Sequence, residues 1–306
     1  MFKQLKKFTV QMIAGANVAT IVIMLLVGYS DALRPEAHPM LSNMGLLFPV
    51  FLVANFCFLL FWLIFKTRYA LIPFVGFLVG YVPVRKYIPV NVSKDAPAGS
   101  IKVLSYNTWA FAQMSYDEDG INPIVRYIQE QNADIVCLQE ANLCGNVATQ
   151  VDSIIRPMYA CVDTTLHPKG GDVLTVFSKY PILSKEIIPY HSEGNLSVAY
   201  VLKIGKEKVL LINNHLETTG LTLEERQQFK ELIKGKLETD TAEQTSKLLG
   251  VKLAESTKKR APQAEAVARY IRRHRGESVI LCGDFNDGPI SYAHRTIAKG
   301  LTDCYV

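Results

Sequence analysis

The apolar run Val279-Ile280-Leu281-Cys282 leads into Gly283-Asp284-Phe285-Asn286, setting a carboxylate and a carboxamide side by side where a buried strand stops. Three more runs end the same way. Ile101–Asn107 closes on Asn107, Asp134–Glu140 on Gln139 and Glu140, and Lys208–Glu217 on Asn213, Asn214, His215 and Glu217. Together these ends supply hard oxygen donors and one imidazole. Such a set suits Mg²⁺ or Mn²⁺ and does not suit structural zinc, for which the cysteine spacing is also wrong.

Each residue also has a plainer reading. Asn286-Asp287-Gly288-Pro289 is ordinary turn chemistry. Glu140 also reads as a solvated carboxylate, His215 as a structural histidine and Asn107 as a turn residue. Glu217 and Asp287 read as supporting or surface groups, and His167, His191, His274 and His294 match no motif.

The elements that must position these side chains are legible in outline. All four runs are short, rich in β-branched residues and bounded by polar ones, as strands buried on both faces are. Val173–Ser178 and Val198–Ile204 are further strand candidates, and helical patterns cover Asn122–Gln131, Val147–Arg156, Thr222–Lys236 and Ala242–Arg275. Pro262 is expected to break or begin a helix. Ala264, Val267, Ala268 and Ile271 form an apolar stripe for packing on a sheet. Arg269, Arg272, Arg273 and Arg275 near that helix end complement its dipole rather than mark a nucleic-acid surface.

In order and spacing the segments resemble the endonuclease/exonuclease/phosphatase superfamily. The resemblance rests on Tyr106-Asn107, Leu138-Gln139-Glu140, Asn214-His215-Leu216 and Gly283-Asp284-Phe285-Asn286, with support from Phe177–Ile182 and from Arg260 with Gln263-Ala264. From about Ser100 onward it implies an α/β fold, a four-layer α/β/β/α sandwich of the deoxyribonuclease type, following N-terminal transmembrane helices that composition predicts. It implies Glu140 as the main ligand of Mg²⁺ (or Mn²⁺) with Asn107 beside it. Asp284 would orient and activate the attacking water, and Asn286 would hold it or a phosphate oxygen. His215 would hydrogen-bond a phosphoryl oxygen, with Asn213 or Asn214 in support. The family also completes its site with a C-terminal Asp-His pair, which these 306 residues do not contain. On that basis the chain is expected to be truncated, with the last strands missing.

The first hundred residues differ in kind. Phe8–Ser30 carries no charge, Met44–Phe65 is almost wholly apolar, and Tyr69–Val84 is again uncharged but holds Pro73 and Pro83. The first two are long enough for a hydrocarbon core of about 30 Å, and the third is short enough to span, tilt or dip. The expected organisation is a membrane anchor over 1–86, a linker over 87–100 and a phosphoesterase domain over 101–306. Lys3, Lys6 and Lys7, with Lys66 and Arg68, put the N-terminus and the second turn on the cytoplasmic side. Three spans then leave the domain extracytoplasmic, at a bacterial inner membrane, whereas two would leave it inside, the side that Arg85 and Lys86 favour. The six cysteines have no framework spacing and are expected to be free.

A net charge of +5 is mild and lies partly beside apolar segments, so it does not point to DNA. The resulting expectation is a membrane-anchored, Mg²⁺-dependent phosphoesterase acting on nucleic acid, a phospholipid head group or an inositol phosphate. No obligate protein partner is evident. The alternative is an inactive membrane-tethered scaffold that keeps the fold.

Overall fold

The computed structural model describes residues 2–92 and 95–305. By contact, the chain divides into two units. One holds residues 94–218 and 262–286; the other holds 1–93, 219–261 and 287–306.

The first unit contains eight strands: β1 (Val103–Asn107), β2 (Ile135–Gln139), β3 (Cys161–Leu166), β4 (Val173–Ser178), β5 (Ile182–Ile187), β6 (Ser197–Ile204), β7 (Glu207–His215) and β8 (Ser278–Asp284). They form two four-stranded sheets, ordered β1-β2-β4-β3 and β5-β6-β7-β8. The sequence reading missed β3 and β5 as strands. Both are edge strands, and their polar or exposed residues (Asp163-Thr164-Thr165, Ser184-Lys185-Glu186) carry no apolar run to read.

The sheets pack face to face. Ile135, Cys137, Leu174 and Val176 of one meet Val198, Tyr200, Leu202 and Leu211 of the other. On the outer face of the first sheet, Val136, Leu138 and Phe177 pack with Ile124, Ile128, Val147, Val151 and Ile155. The Pro123–Gln131 helix starts there because Asn122 caps it, its Oδ1 accepting from the amides of Ile124 and Val125, with Pro123 in the first turn. On the outer face of the second sheet lies the end of the Thr239–Arg273 helix, where Ala264, Val267 and Ala268 are buried. Its Tyr270 hydroxyl donates to Glu186, and Gln263 accepts from the Glu217 amide. The result is a four-layer α/β/β/α arrangement. Pro262 does not break the helix as the sequence suggested; it sits inside it, where the two units divide.

Within each sheet the pairs that matter are parallel. β1 runs with β2 so that Asn107 faces Gln139, and β7 runs with β8 so that His215 faces Asp284. Gly283 is what permits the second pairing. Its φ is +135°, and a Cβ there would lie 2.0 Å from the Asn214 carbonyl oxygen.

In the second unit, Phe2–Ala32 and Pro39–Phe65 are long and apolar enough to cross a membrane. Thr67–Val79 and Tyr81–Tyr87 form a pair bent by 72° that could count as a third crossing. A buried amide knot joins all three. Asn17 donates to Asn55, Trp62 donates to Asn17, and Asn55 donates to the Pro73 carbonyl at 3.1 Å. Each such bond between apolar helices contributes about 1 kcal/mol. The same unit packs Ile290 against Met24, Val27, Phe48 and Leu52, and hydrogen-bonds Asn43 to Thr257 and to the Leu253 carbonyl. Asp287 is buried here beside Arg260, and burial holds its carboxyl above the usual range despite that cation.

Gly283→Ala is expected to cost on the order of 3 kcal/mol, because backbone strain and a backbone clash coincide. Gly288→Ala, where a Cβ meets nothing within 4 Å, is the control. Thermal unfolding of both variants measures the contrast; equal midpoints would contradict this role for Gly283.

Candidate active site

Asn107 ends β1, Glu140 follows β2, His215 ends β7 and Asp284 ends β8, so two parallel pairs deliver four functional groups at strand carboxyl ends. Beneath them the two sheets are joined by buried amides. Gln139 Nε2 donates to Asn213 Oδ1 at 2.7 Å, and Asn213 Nδ2 donates to the Leu138 carbonyl at 3.2 Å.

Asn107 lies at the centre. Its Nδ2 donates to Glu140 Oε1 at 3.0 Å and to Asp284 Oδ2 at 2.9 Å, while its Oδ1 accepts from the Trp109 amide. One carboxamide therefore clasps carboxylates from both sheets. Both acids remain about one-third exposed.

His215 is buried. Its Nδ1 donates to Asp172 Oδ2 at 2.7 Å, which fixes the ring and turns Nε2 toward the acids. Nε2 lies 3.9 Å from Glu140 Oε1 and 4.0 Å from Asp284 Oδ2, and it has no hydrogen-bond partner among the described residues. Burial alone would push the imidazolium down. The Asp172 hydrogen bond and charge, joined by Asp284 and Glu140, outweigh it, so the ring titrates above its ordinary value.

Asp172 does not close an apolar run, so the pattern of polar strand ends in the sequence does not reveal it. It precedes β4, which runs antiparallel to β2, so the start of β4 lies beside the end of β2. The Ala141 amide donates to the Val173 carbonyl there, and Asp172 Oδ1 accepts from the amides of Glu140 and Val173. The signal was present as Gly170-Gly171-Asp172 ahead of an apolar run.

Asp284 Oδ1 accepts from the Asn286 amide at 2.8 Å, and Asn286 Nδ2 donates to the Leu216 carbonyl at 2.9 Å. Glu140 and Asn286 both hold a left-handed backbone, with φ of 50°. Non-glycine residues rarely adopt it, and the surrounding hydrogen bonds must impose it. Asn107, Glu140, His215, Asp284 and Asn286 thus converge. Asn214 does not join them: strand alternation puts it on the opposite face of β7 from Asn213 and His215. Its side-chain oxygen and nitrogen are buried with no partner among the described residues. Glu217 is buried too, accepting from Ser192 and Gln263.

The donors present fit a hard divalent cation. Two carboxylates and an amide face one another across 3 Å contacts, and an N–H stands between the acids where positive charge is favoured. Among the described residues no three His, Cys, Asp or Glu side chains form a ready-made cage. All six cysteines are free.

The family model for the endonuclease/exonuclease/phosphatase family matches residues 104–304, and one for a domain of unknown function, DUF8431, matches residues 10–87. No curated protein matches the chain. Among solved structures, a truncated TDP2 from Caenorhabditis elegans aligns at 15% identity and TM-score 0.41, over 63% of this chain and 65% of its own. Sphingomyelinase C from Streptomyces griseocarneus aligns at 18% and 0.42, over 67% and 70%. A D. rerio TDP2 bound to a single-strand DNA product aligns at 16% and 0.38, over 61% of each. The chain spans less than two thirds of both TDP2 structures.

Asp172→Asn removes the partner that raises His215, so the ring is expected to titrate lower in the chelator-treated variant, read by NMR of the imidazole. A raised value stabilises the fold below the ordinary imidazole range, near pH ~6.5, and that stabilisation fades as pH rises through the folded value. The variant should therefore lose most stability on the acid side. An unchanged His215 titration would contradict the pairing.

Proposed function

The chain belongs to the endonuclease/exonuclease/phosphatase family, and we propose that it is a membrane-anchored, divalent-metal-dependent phosphoesterase. The observation that supports this reading is the convergence of Asn107, Glu140, His215, Asp284 and Asn286 at one sandwich end, with Asp172 holding His215.

Glu140 and Asp284 would hold Mg²⁺ or Mn²⁺, while Asn107, expected from the sequence as a ligand, turns its Oδ1 to the Trp109 amide and spaces the two acids through its Nδ2. The cation, when bound, neutralises charge on the phosphoryl oxygens and the leaving oxygen. His215, whose charged form Asp172 favours, would offer Nε2–H to a phosphoryl oxygen as charge develops there. Asp284 has one oxygen tied to the Asn286 amide, which fixes the carboxylate to orient water and accept its proton. Asn286 has its Nδ2 occupied by the Leu216 carbonyl. Its Oδ1 is then the free atom, an acceptor for a water hydrogen rather than a donor to phosphate.

In this reading residues 1–86 are the anchor, 87–100 the linker and 101–306 the catalytic domain, with three spans leaving that domain extracytoplasmic at a bacterial inner membrane. Lys3, Lys6, Lys7, Lys66 and Arg68 at one end of the apolar helices support that sidedness. Substrate choice resides in loops, so nucleic acid, phospholipid head group and inositol phosphate all fit the site chemistry.

The test is hydrolysis by the full chain of plasmid DNA, RNA, sphingomyelin, inositol phosphates and bis-p-nitrophenyl phosphate, each with and without chelator. Turnover of one class is expected, abolished by chelator and reduced at least about 10³-fold in Glu140→Gln. Chelator-resistant turnover, or full activity in Glu140→Gln, would overturn the reading.

A further inference from the structure

Asp31, just past the first apolar helix, is a carboxylate with a side chain only 2% exposed. Lys86 Nζ at 2.7 Å and Arg295 Nη1 at 3.1 Å hold it. Lys86 closes the third apolar stretch, while Arg295 comes from the Tyr292–Ala298 helix, so these segments meet at one point. Around that point an open cavity of about 370 Å³ is lined by Lys86, His294, Arg295, Lys299, Leu301 and Asp303.

Its charge is not balanced. Lys86, Arg295 and Lys299 stand against Asp31 and Asp303, leaving one net positive charge before His294 is counted. Asp303 lies 2.9 Å from His294 Nε2, and His294 Nδ1 is buried without a hydrogen-bond partner among the described residues. Lys299 is exposed at the cavity wall, and no ion partner for it is found among the described residues.

The cavity sits at a level set by aromatic residues. Exposed Tyr29 lies just ahead of Asp31 at the end of the first apolar helix and exposed Tyr87 follows Lys86 at the end of the third stretch, and the Tyr29 hydroxyl donates to the Val79 carbonyl. Tyrosines at the ends of apolar helices mark the head-group layer. The helix carrying Arg295 is held there by Ile290, whose carbonyl approaches Gly45 so closely that a Cβ would fall 2.4 Å from it.

We propose that this cavity binds the phosphate of an anionic phospholipid, with Lys299, Arg295 and Lys86 supplying the positive charge and Leu301 and Ala298 an apolar wall. It is separate in composition from the site of Glu140 and Asp284. The proposal rests on the reading that residues 1–86 cross a bilayer. A soluble phosphate ester has the same head-group chemistry, so the two sources must be distinguished.

The test uses the full chain in nanodiscs of phosphatidylcholine with or without phosphatidylglycerol, with retained lipid counted by native mass spectrometry. Wild type is expected to retain phosphatidylglycerol. Lys299→Gln should retain about fivefold less, the effect of one cation at a membrane surface. Lys299→Arg should restore retention, and Lys3→Gln, at the far helix end, should leave it unchanged. In a second arm in detergent, glycerol 3-phosphate is titrated. Lys299-dependent binding there, without selective lipid retention, would keep the phosphate site but overturn the lipid assignment. Equal retention by wild type and Lys299→Gln, with no glycerol 3-phosphate binding, would overturn the proposal. Failure to enter nanodiscs would instead overturn the spanning reading, leaving the detergent arm to decide the phosphate site.

Discussion

Two carboxylates brought together from different sheets repel, and the Asn107 amide is what offsets that repulsion. Each of its two N–H bonds points to one acid, Glu140 at 3.0 Å and Asp284 at 2.9 Å. A neutral donor only partly compensates two negative charges. Much of the nearby structure keeps the acids facing, as the proposed cation site requires. Asp172 takes the Glu140 amide and the His215 ring at once. Asn286 takes Asp284 by its amide and the Leu216 carbonyl by its side chain.

The cost of this convergence is visible in the backbone. Left-handed conformations at Glu140 and Asn286 are unfavourable for side-chain-bearing residues, more so for Glu than for Asn. Gly283, pressed against the Asn214 backbone, shows the same constraint resolved by deleting a side chain. The buried Gln139–Asn213 pair lies directly beneath and fixes the two sheets in register at this end. Beneath that strained rim the Gln139–Asn213 and Asn213–Leu138 hydrogen bonds tie the two sheets together.

Much of this was legible in the sequence. Asn107, Glu140, His215 and Asp284 could be read because each closes an apolar run, and parallel pairing places such ends together. Asp172 could not be read that way, since it opens an antiparallel strand and so reaches the site from the other direction. Of Asn213 and Asn214, the two residues expected to support His215, strand alternation puts only Asn213 on the His215 face. Edge strands β3 and β5 lacked the buried pattern that identifies central ones. Pro262 was expected to break or begin a helix, yet it lies inside the Thr239–Arg273 helix. The apolar N-terminal helices were plain from composition, whereas the Asn17–Asn55–Trp62 knot depends on a three-dimensional meeting that hydropathy does not record.

The central claim is that Glu140 and Asp284, spaced by Asn107, form one divalent-cation site. Mn²⁺ titration followed by electron paramagnetic resonance tests it without reference to any substrate. The account requires one tight Mn²⁺ per chain, displaced by excess Mg²⁺, and weakened by at least about tenfold in both Glu140→Gln and Asp284→Asn. Wild-type affinity in both variants would contradict it and place any cation elsewhere.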